Sequence, residues 1–233
     1  MNSILSAKIP ILIVDDHALV RAGVTRILID EPGMLVIGEA SSGGEAIEFV
    51  KIHTPDIVIM DARMPGIGGI EATLRLLAMH PKLKIIGLLA VTSGVIPSQM
   101  LRAGVRAFLT KNASVDELRK AIRKVQSGQR YVTPEAATQM AVDPFNKKGG
   151  SLFDKLSRRE MQIAQMLTDV KKVSKIAEYL SLNPKTVYSY SCRIFEKLGI
   201  HSDVELAILA VKHGLADDAR ELDELPRIER FAG

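Results

Sequence analysis

Cysteine is almost missing from this chain. The 233 residues hold one, Cys192, which rules out an internal disulfide and suits a reducing compartment. Long apolar runs are missing too, and none approaches the ~20 residues of a membrane span. A single Lys and no apolar stretch precede the first strand-like run, so no secretory signal is expected and the cytoplasm is the expected home. A large net charge is also lacking. The formal value is +4, unevenly spread: residues 151–216 hold 10 Lys and Arg against 7 Asp and Glu, whereas 217–233 hold 3 against 6. A modestly basic segment permits nucleic acid binding without demanding it. With 47% hydrophobic and 25% charged residues, the composition is globular, and the length suits two domains.

The first half alternates two textures. Apolar, β-rich runs stand at 9–14, 34–37, 56–60, 85–89 and 105–109, and helical periodicity at 17–29, 43–52, 68–79, 96–103 and 115–127. Five such alternations predict βαβ units and a parallel sheet covered on both faces, placed at 7–128. Ser114 and Glu117 have the spacing of a capping box, and Gly128 stops the last helix. Residues 129–151 read as a linker, with turn residues in "DPFNKKGG". From 152 to 215 the pattern is helical. Ser157 and Glu160 form another capping-box pair, and Asn183-Pro184 opens a helix running to Leu198 and ended by Gly199. Two helices joined by three residues predict helix-turn-helix geometry. An acidic tail, 216–233, follows.

Asp15 and Asp16 end the first strand, Asp61 ends the third and Lys111 ends the fifth. In a parallel sheet of order 2-1-3-4-5, strands 1 and 3 are neighbours, and ligands bind outside the carboxyl ends. Three carboxylates in one crevice repel one another unless a cation joins them, and their chemistry suits Mg²⁺. A carboxylate beside that cation and a Lys is equipped to accept a phosphoryl group as a nucleophile. Each acid alone reads as an ordinary strand-end residue; the four together at matching strand ends point to this chemistry.

The stretches "ILIVDDHALVRAG", "PDIVIMDARMPGIGGIEA" and "AGVRAFLTK" resemble the receiver domain of two-component response regulators. "LSRREMQIAQML" and "KIAEYLSLNPKTVYSYSCRIFEKLGIHSDVELAILAVKHGL" resemble the helix-turn-helix of the NarL/FixJ group, LuxR-type, and within it the GacA/UvrY type. The resemblance spans 7–215. It implies a (βα)5 flavodoxin-like receiver and a four-helix DNA-binding domain. It makes Asp61 the phosphoacceptor, with Mg²⁺ held by Asp61, by Asp16 directly, by Asp15 through water and by the Arg63 carbonyl. Lys111 would pair with the phosphoryl group and Phe108 would be the rotating aromatic. The implied partners are DNA, a histidine kinase of the BarA/GacS type and a second copy of the chain. His17, beside the acids, reads as a helix-start residue rather than a ligand.

The sequence departs from that pattern at Leu89, where the family carries Ser or Thr to hydrogen-bond the phosphoryl oxygen. Either the hydroxyl is absent, or the strand is shifted and Thr92 supplies it; the ungapped count from Asp61 to Lys111 favours absence. On the recognition helix, the resemblance puts Tyr188, Ser189 and Cys192 at base contacts and Lys185, Thr186, Tyr190 and Arg193 near phosphates, with Lys197 further along the helix. Tyr188 stands where close relatives usually carry a polar amide, Ser191 where they often carry Arg, and Val170 where a Gly normally closes the preceding helix. "ELAILAVKHGL" must supply core residues and, by resemblance, a dimer face. The expected function is a phosphorylation-controlled transcription regulator. The alternative is a phosphorylation-independent regulator with an impaired switch. A phosphatase using Asp61 is disfavoured, because Arg63 stands where such enzymes place the second acid of Asp-x-Asp.

Overall fold

The chain's first apolar run becomes β1 (Ile9–Val14), completely buried from Ile11 onward. The computed structural model describes residues 8–90, 95–134, 137, 151–168 and 172–216. After β1 come α1 (Ala18–Ile29), β2 (Met34–Ala40), α2 (Gly43–Ile52), β3 (Ile57–Asp61), α3 (Gly69–Met79), β4 (Lys84–Leu89), α4 (Val95–Ala103), β5 (Ala107–Thr110) and α5 (Val115–Gln126). The strands pair in parallel in the order β2-β1-β3-β4-β5, with helices on both faces. Strands buried on both faces read as unbroken apolar runs, which is why the alternation was legible.

A sixth strand was not expected. β6 (Tyr131–Val132) lies inside the stretch read as linker and pairs in parallel with β5, Ala107 opposite Tyr131. Two residues are too few for a periodic signal, but they cover a sheet edge that would otherwise present unpaired backbone groups.

A 3₁₀ turn (Leu152–Lys155) opens the second half, followed by α6 (Arg158–Thr168), α7 (Val173–Leu180), α8 (Pro184–Leu198) and α9 (Asp203–Lys212). The predicted caps are present. Ser114 and Glu117 cap α5 reciprocally, and Ser157 Oγ accepts from the Glu160 amide while Glu160 Oε2 accepts from the Ser157 amide at 2.7 Å. Asn183 accepts from the Lys185 amide at 2.9 Å, and Gly199 takes the left-handed conformation that ends α8. Between α7 and α8, Ser181 turns the chain at φ 51° without a glycine.

Glu160 is buried, and its Oε2 lies 2.7 Å from Lys197 Nζ, tying α6 to α8. Burial alone would raise this carboxyl; the Lys197 ammonium and the Ser157 donors outweigh it and hold the group down at about 2. A carboxyl held below its ordinary value stabilises the fold above that value, and the gain disappears as pH falls towards 2. Glu160→Gln is expected to cost about 1 kcal/mol at pH 7. Urea denaturation at pH 7 and pH 2.5 measures this, and the two proteins should converge at the lower pH.

One apolar cluster runs through both halves. It joins Leu12, Val58, Met60, Leu89 and Phe108 of the sheet region with Phe153, Met161, Ile176 and Ile194 of the helical region. A second cluster, with Ile11, Ile13, Ile59, Leu109, Leu118 and Ile122, fills the other face of the sheet. No helix among the described residues is long and apolar enough to cross a membrane. Thr92, Val170 and residues 217–233 of the tail lie outside the described residues, so the alternative hydroxyl, the unusual turn before α7 and the tail carry no structural description.

Candidate phosphoryl-acceptor site and nucleic-acid interface

The parallel register brings the four expected residues to one rim. Val14, the last residue of β1, pairs with Met60, so Asp15 and Asp61 leave neighbouring strands side by side. β5 delivers Lys111, whose amide donates to the Leu89 carbonyl at 2.8 Å. Lys111 Nζ lies 2.8 Å from Asp61 Oδ2 and 2.9 Å from Asp15 Oδ2. Asp15 is fully buried and Asp61 nearly so. Asp61 Oδ1 accepts from the Arg63 amide at 3.1 Å. The strand end is crowded from behind. A Cβ on Gly69 would stand 2.0 Å from the Asp61 carbonyl oxygen, so only glycine lets α3 start there.

Burial pushes the Asp61 carboxyl up to about 6, against the pull of Lys111 and with a smaller push from Asp15. Burial also works against the Lys111 ammonium, yet Asp61 and Asp15 leave its pKa above the ordinary lysine value. Asp15, Asp16, His17 and Asp61 each offer a ligand atom, all within 4.8 Å of one another. Asp16 Oδ1 is buried and accepts no hydrogen bond among the described residues. A compact acid group whose buried Asp16 oxygen has the His17 ring nitrogen 2.9 Å away but no aligned hydrogen bond fits a hard divalent cation, so the donor set suits Mg²⁺.

His17, Asp61, Arg63, Leu89 and Lys111 line a pocket of about 240 Å³ whose wall is completed by Gly214, from beyond α9. Leu89 is buried at the end of β4 and offers no hydroxyl. Phe108 is buried and lies across Gly87, where a Cβ would meet its ring at 3.1 Å. Leu89 and Phe108 share the same apolar cluster.

Sequence reasoning missed the contacts between the two halves. The Val95 amide, opening α4, donates to the His213 carbonyl at 3.1 Å. Arg102 grips Asp154 with two nitrogens, at 2.9 and 3.4 Å. Gln162 Nε2 reaches the Gly66 carbonyl at 3.5 Å. Each joins residues far apart in the chain, and no local pattern announces such pairs.

On α8, Val187, Ile194 and Leu198 are buried, while Lys185, Tyr188, Ser189, Cys192 and Arg193 are exposed on the other side. Tyr188 is 60% exposed. The Arg193 guanidinium sits 4.4 Å over the Tyr190 ring, which holds a cation in place on this face. Thr186 and Tyr190 are half-buried. Ser191 is buried, its hydroxyl donating to the Val187 carbonyl at 3.1 Å, so it faces the core side rather than a groove. Lys197 spends its charge on Glu160, which sets it apart from the other cations proposed for phosphate.

Residues 11–123 match the response regulator receiver domain, and residues 154–210 match the luxR family of bacterial regulatory proteins. The chain is 48% identical over 210 residues to the response regulator GacA of Pseudomonas viridiflava, covering 90% of this chain and 98% of that one. The chain belongs to the two-component response regulators. Another relative is the response regulator UvrY of Escherichia coli strain K12, 47% identical over 90% of this chain and 96% of that one. Among solved structures, the complex of the two-component response regulator RcsB with DNA aligns with a TM-score of 0.53 at 25% identity, over 87% of this chain and 97% of that one. As a response regulator of the GacA/UvrY type, the chain pairs a receiver with a LuxR-type DNA-binding domain, and the phosphorylation-independent alternative is not favoured.

Proposed function

We propose that phosphorylation of Asp61 sets the DNA affinity of α8, and that the contacts between the two halves carry the signal. The observation that supports this most directly is Lys111 Nζ within 2.9 Å of both Asp15 and Asp61, at the mouth of a buried strand pair. An Asp61 carboxylate oxygen attacks the phosphorus of a phosphohistidine. The P–N bond breaks, its electron pair returns to the imidazole, and an acyl phosphate forms on Asp61. Lys111 neutralises charge on the transferred oxygens. Asp15, Asp16, Asp61 and the Arg63 carbonyl would hold Mg²⁺, which supplies further charge neutralisation when bound. Burial of Asp61 keeps water from the reacting carboxylate.

The donor is a histidine kinase of the BarA/GacS type, and the setting is the cytoplasm. The domain assignment is a receiver at 7–128, a linker at 129–151 that begins with an edge strand, a DNA-binding domain at 152–215 and an acidic tail at 216–233. In α9, Val204 is 69% and Ile208 63% exposed, whereas Leu206 is fully buried. One side of that helix is therefore core and the other is available for a second copy on DNA. The new acyl phosphate sits in a pocket that Gly214 helps to wall, so its added charge and volume act directly on the end of α9. Radiolabelled acetyl phosphate with Mg²⁺ is expected to label Asp61 with an acid-stable, hydroxylamine-labile bond and to tighten binding to genomic DNA fragments. A chain that takes no label, or whose DNA affinity ignores the label, overturns the proposal.

Two substitutions separate the roles on α8. Arg193→Ala should weaken binding to every DNA sequence and lower the salt slope by about 1. Tyr188→Ala should change the ranking among sequences, since an exposed aromatic offers apolar contact to base edges. Competition gel shifts with specific and random duplexes at two salt concentrations read both. Wild-type behaviour of Arg193→Ala would remove that residue from the phosphate contacts.

A further inference from the structure

Three residues in sequence, Asp15, Asp16 and His17, stand at the acid pocket, and the third has been given no task there. His17 is the N-cap of α1, with φ −83° and ψ 108°, yet its side chain makes no capping hydrogen bond. The N-cap position favours Ser, Thr, Asp or Asn, whose short side chains reach back to the first turn. The imidazole leans towards the acids at the rim of the pocket instead, with most of the ring still exposed. Nδ1 lies 2.9 Å from Asp16 Oδ1 and 3.2 Å from Asp15 Oδ1. That Asp16 oxygen is buried, and apart from this approach of the ring it has no polar partner among the described residues. His17 also lines the same pocket as Asp61 and Lys111. Its ring nitrogen belongs to the group of ligand atoms lying within 4.8 Å of one another.

Carboxylate oxygens alone suit Mg²⁺, which prefers oxygen and gives up its waters reluctantly. An imidazole changes the preference. Nitrogen ligands raise affinity for first-row transition ions along the series from Mn²⁺ through Co²⁺ to Ni²⁺, while adding little for Mg²⁺. We propose that His17 is a further protein ligand in the pocket, making it a site for a nitrogen-preferring transition-metal dication as well as for Mg²⁺. The proposal rests on reading the acid pocket as a divalent-cation site. The nitrogen donor is carried on the helix that follows β1, so ligation would also tie the start of α1 to the acids.

His17 is well exposed and makes no cap, so His17→Ala should fold, and His17→Asn restores a capping residue without an imidazole. The experiment uses the untagged full chain and titrates Mg²⁺, Mn²⁺ and Co²⁺ by calorimetry. Pulsed electron paramagnetic resonance of bound Mn²⁺ looks for coupling to a ligand nitrogen. The wild-type chain should bind Co²⁺ at least about tenfold more tightly than either variant. Mg²⁺ affinity should agree among the three proteins within about twofold. Excess Mg²⁺ should displace the Co²⁺, which excludes binding at His53, His80, His201 or His213. Nitrogen coupling should be present in the wild type and lost in His17→Ala. Equal Co²⁺ affinity in wild type and both variants, or nitrogen coupling that survives the substitution, overturns the proposal while leaving the Mg²⁺ reading intact. A wild-type chain that fails to bind Mg²⁺ at all overturns the underlying reading instead.

Discussion

Asp61→Asn should take up no label from acetyl phosphate and, without divalent cations, should be harder to unfold at pH 7 than the parent. The first effect follows from the loss of the nucleophilic oxygen. The second follows from burial, which pushes the Asp61 carboxyl up to about 6 even with Lys111 at 2.8 Å. A carboxyl whose folded value lies above its unfolded value favours folding while protonated. That advantage is lost as pH rises from the ordinary value near 4 to about 6, and above 6 the full cost of keeping the charge buried remains. The amide carries no such charge, and Lys111 keeps Asp15 as its partner. The gain should be about 2 kcal/mol at pH 7 and should shrink towards zero at pH 4. Chemical denaturation at both values checks it. Saturating Mg²⁺ should close the gap, because the ion stabilises the parent by mass action and binds the amide variant less well.

Leu89→Thr should enlarge the effect of phosphorylation on DNA affinity by tenfold or more. A hydroxyl at the end of β4 gains a hydrogen bond to a charged phosphoryl oxygen, about 1.5–3 kcal/mol that Leu89 cannot supply. Only the phosphorylated state benefits, so the equilibrium between inactive and active forms moves by roughly ten- to a hundredfold. Leu89 is buried, and any smaller residue there also leaves a void. Leu89→Val has nearly the shape of the threonine variant and no hydroxyl, so it isolates the two contributions. The quantity to compare is the ratio of DNA affinities with and without acetyl phosphate. Equal ratios in the Thr and Val variants would show that the missing hydroxyl does not limit switching.

Most of the sheet was legible because buried parallel strands are continuous apolar runs, and the acids that end them interrupt those runs sharply. Asp15, Asp61 and Lys111 could therefore be placed at one rim from strand order alone. The caps at Ser114, Ser157 and Asn183 were legible because a capping box is a local spacing. What escaped was non-local or carried by orientation. Nothing near Arg102 marks Asp154 as its partner, and the Val95 amide meets the His213 carbonyl across more than a hundred residues. β6 is too short to show a period. The resemblance groups Lys197 with the DNA-binding residues of α8, and its ion pair with buried Glu160 of α6 is a non-local contact that the pattern does not announce. His17 starts α1 as the sequence suggests, but the turn of its ring towards Asp15 and Asp16 is an orientation that no sequence pattern carries.

Gly214 belongs to the gene-reading half of the molecule and yet forms part of the wall around the receiver's reacting carboxylate. Shared masonry makes traffic run both ways. If an operator duplex draws α9 off that wall, the free energy it spends must reappear as an equal change in how readily Asp61 holds its phosphoryl group. A promoter is then an effector of the signalling chemistry as well as its destination, and the standing free energy of the acyl phosphate depends on the genomic address the protein occupies.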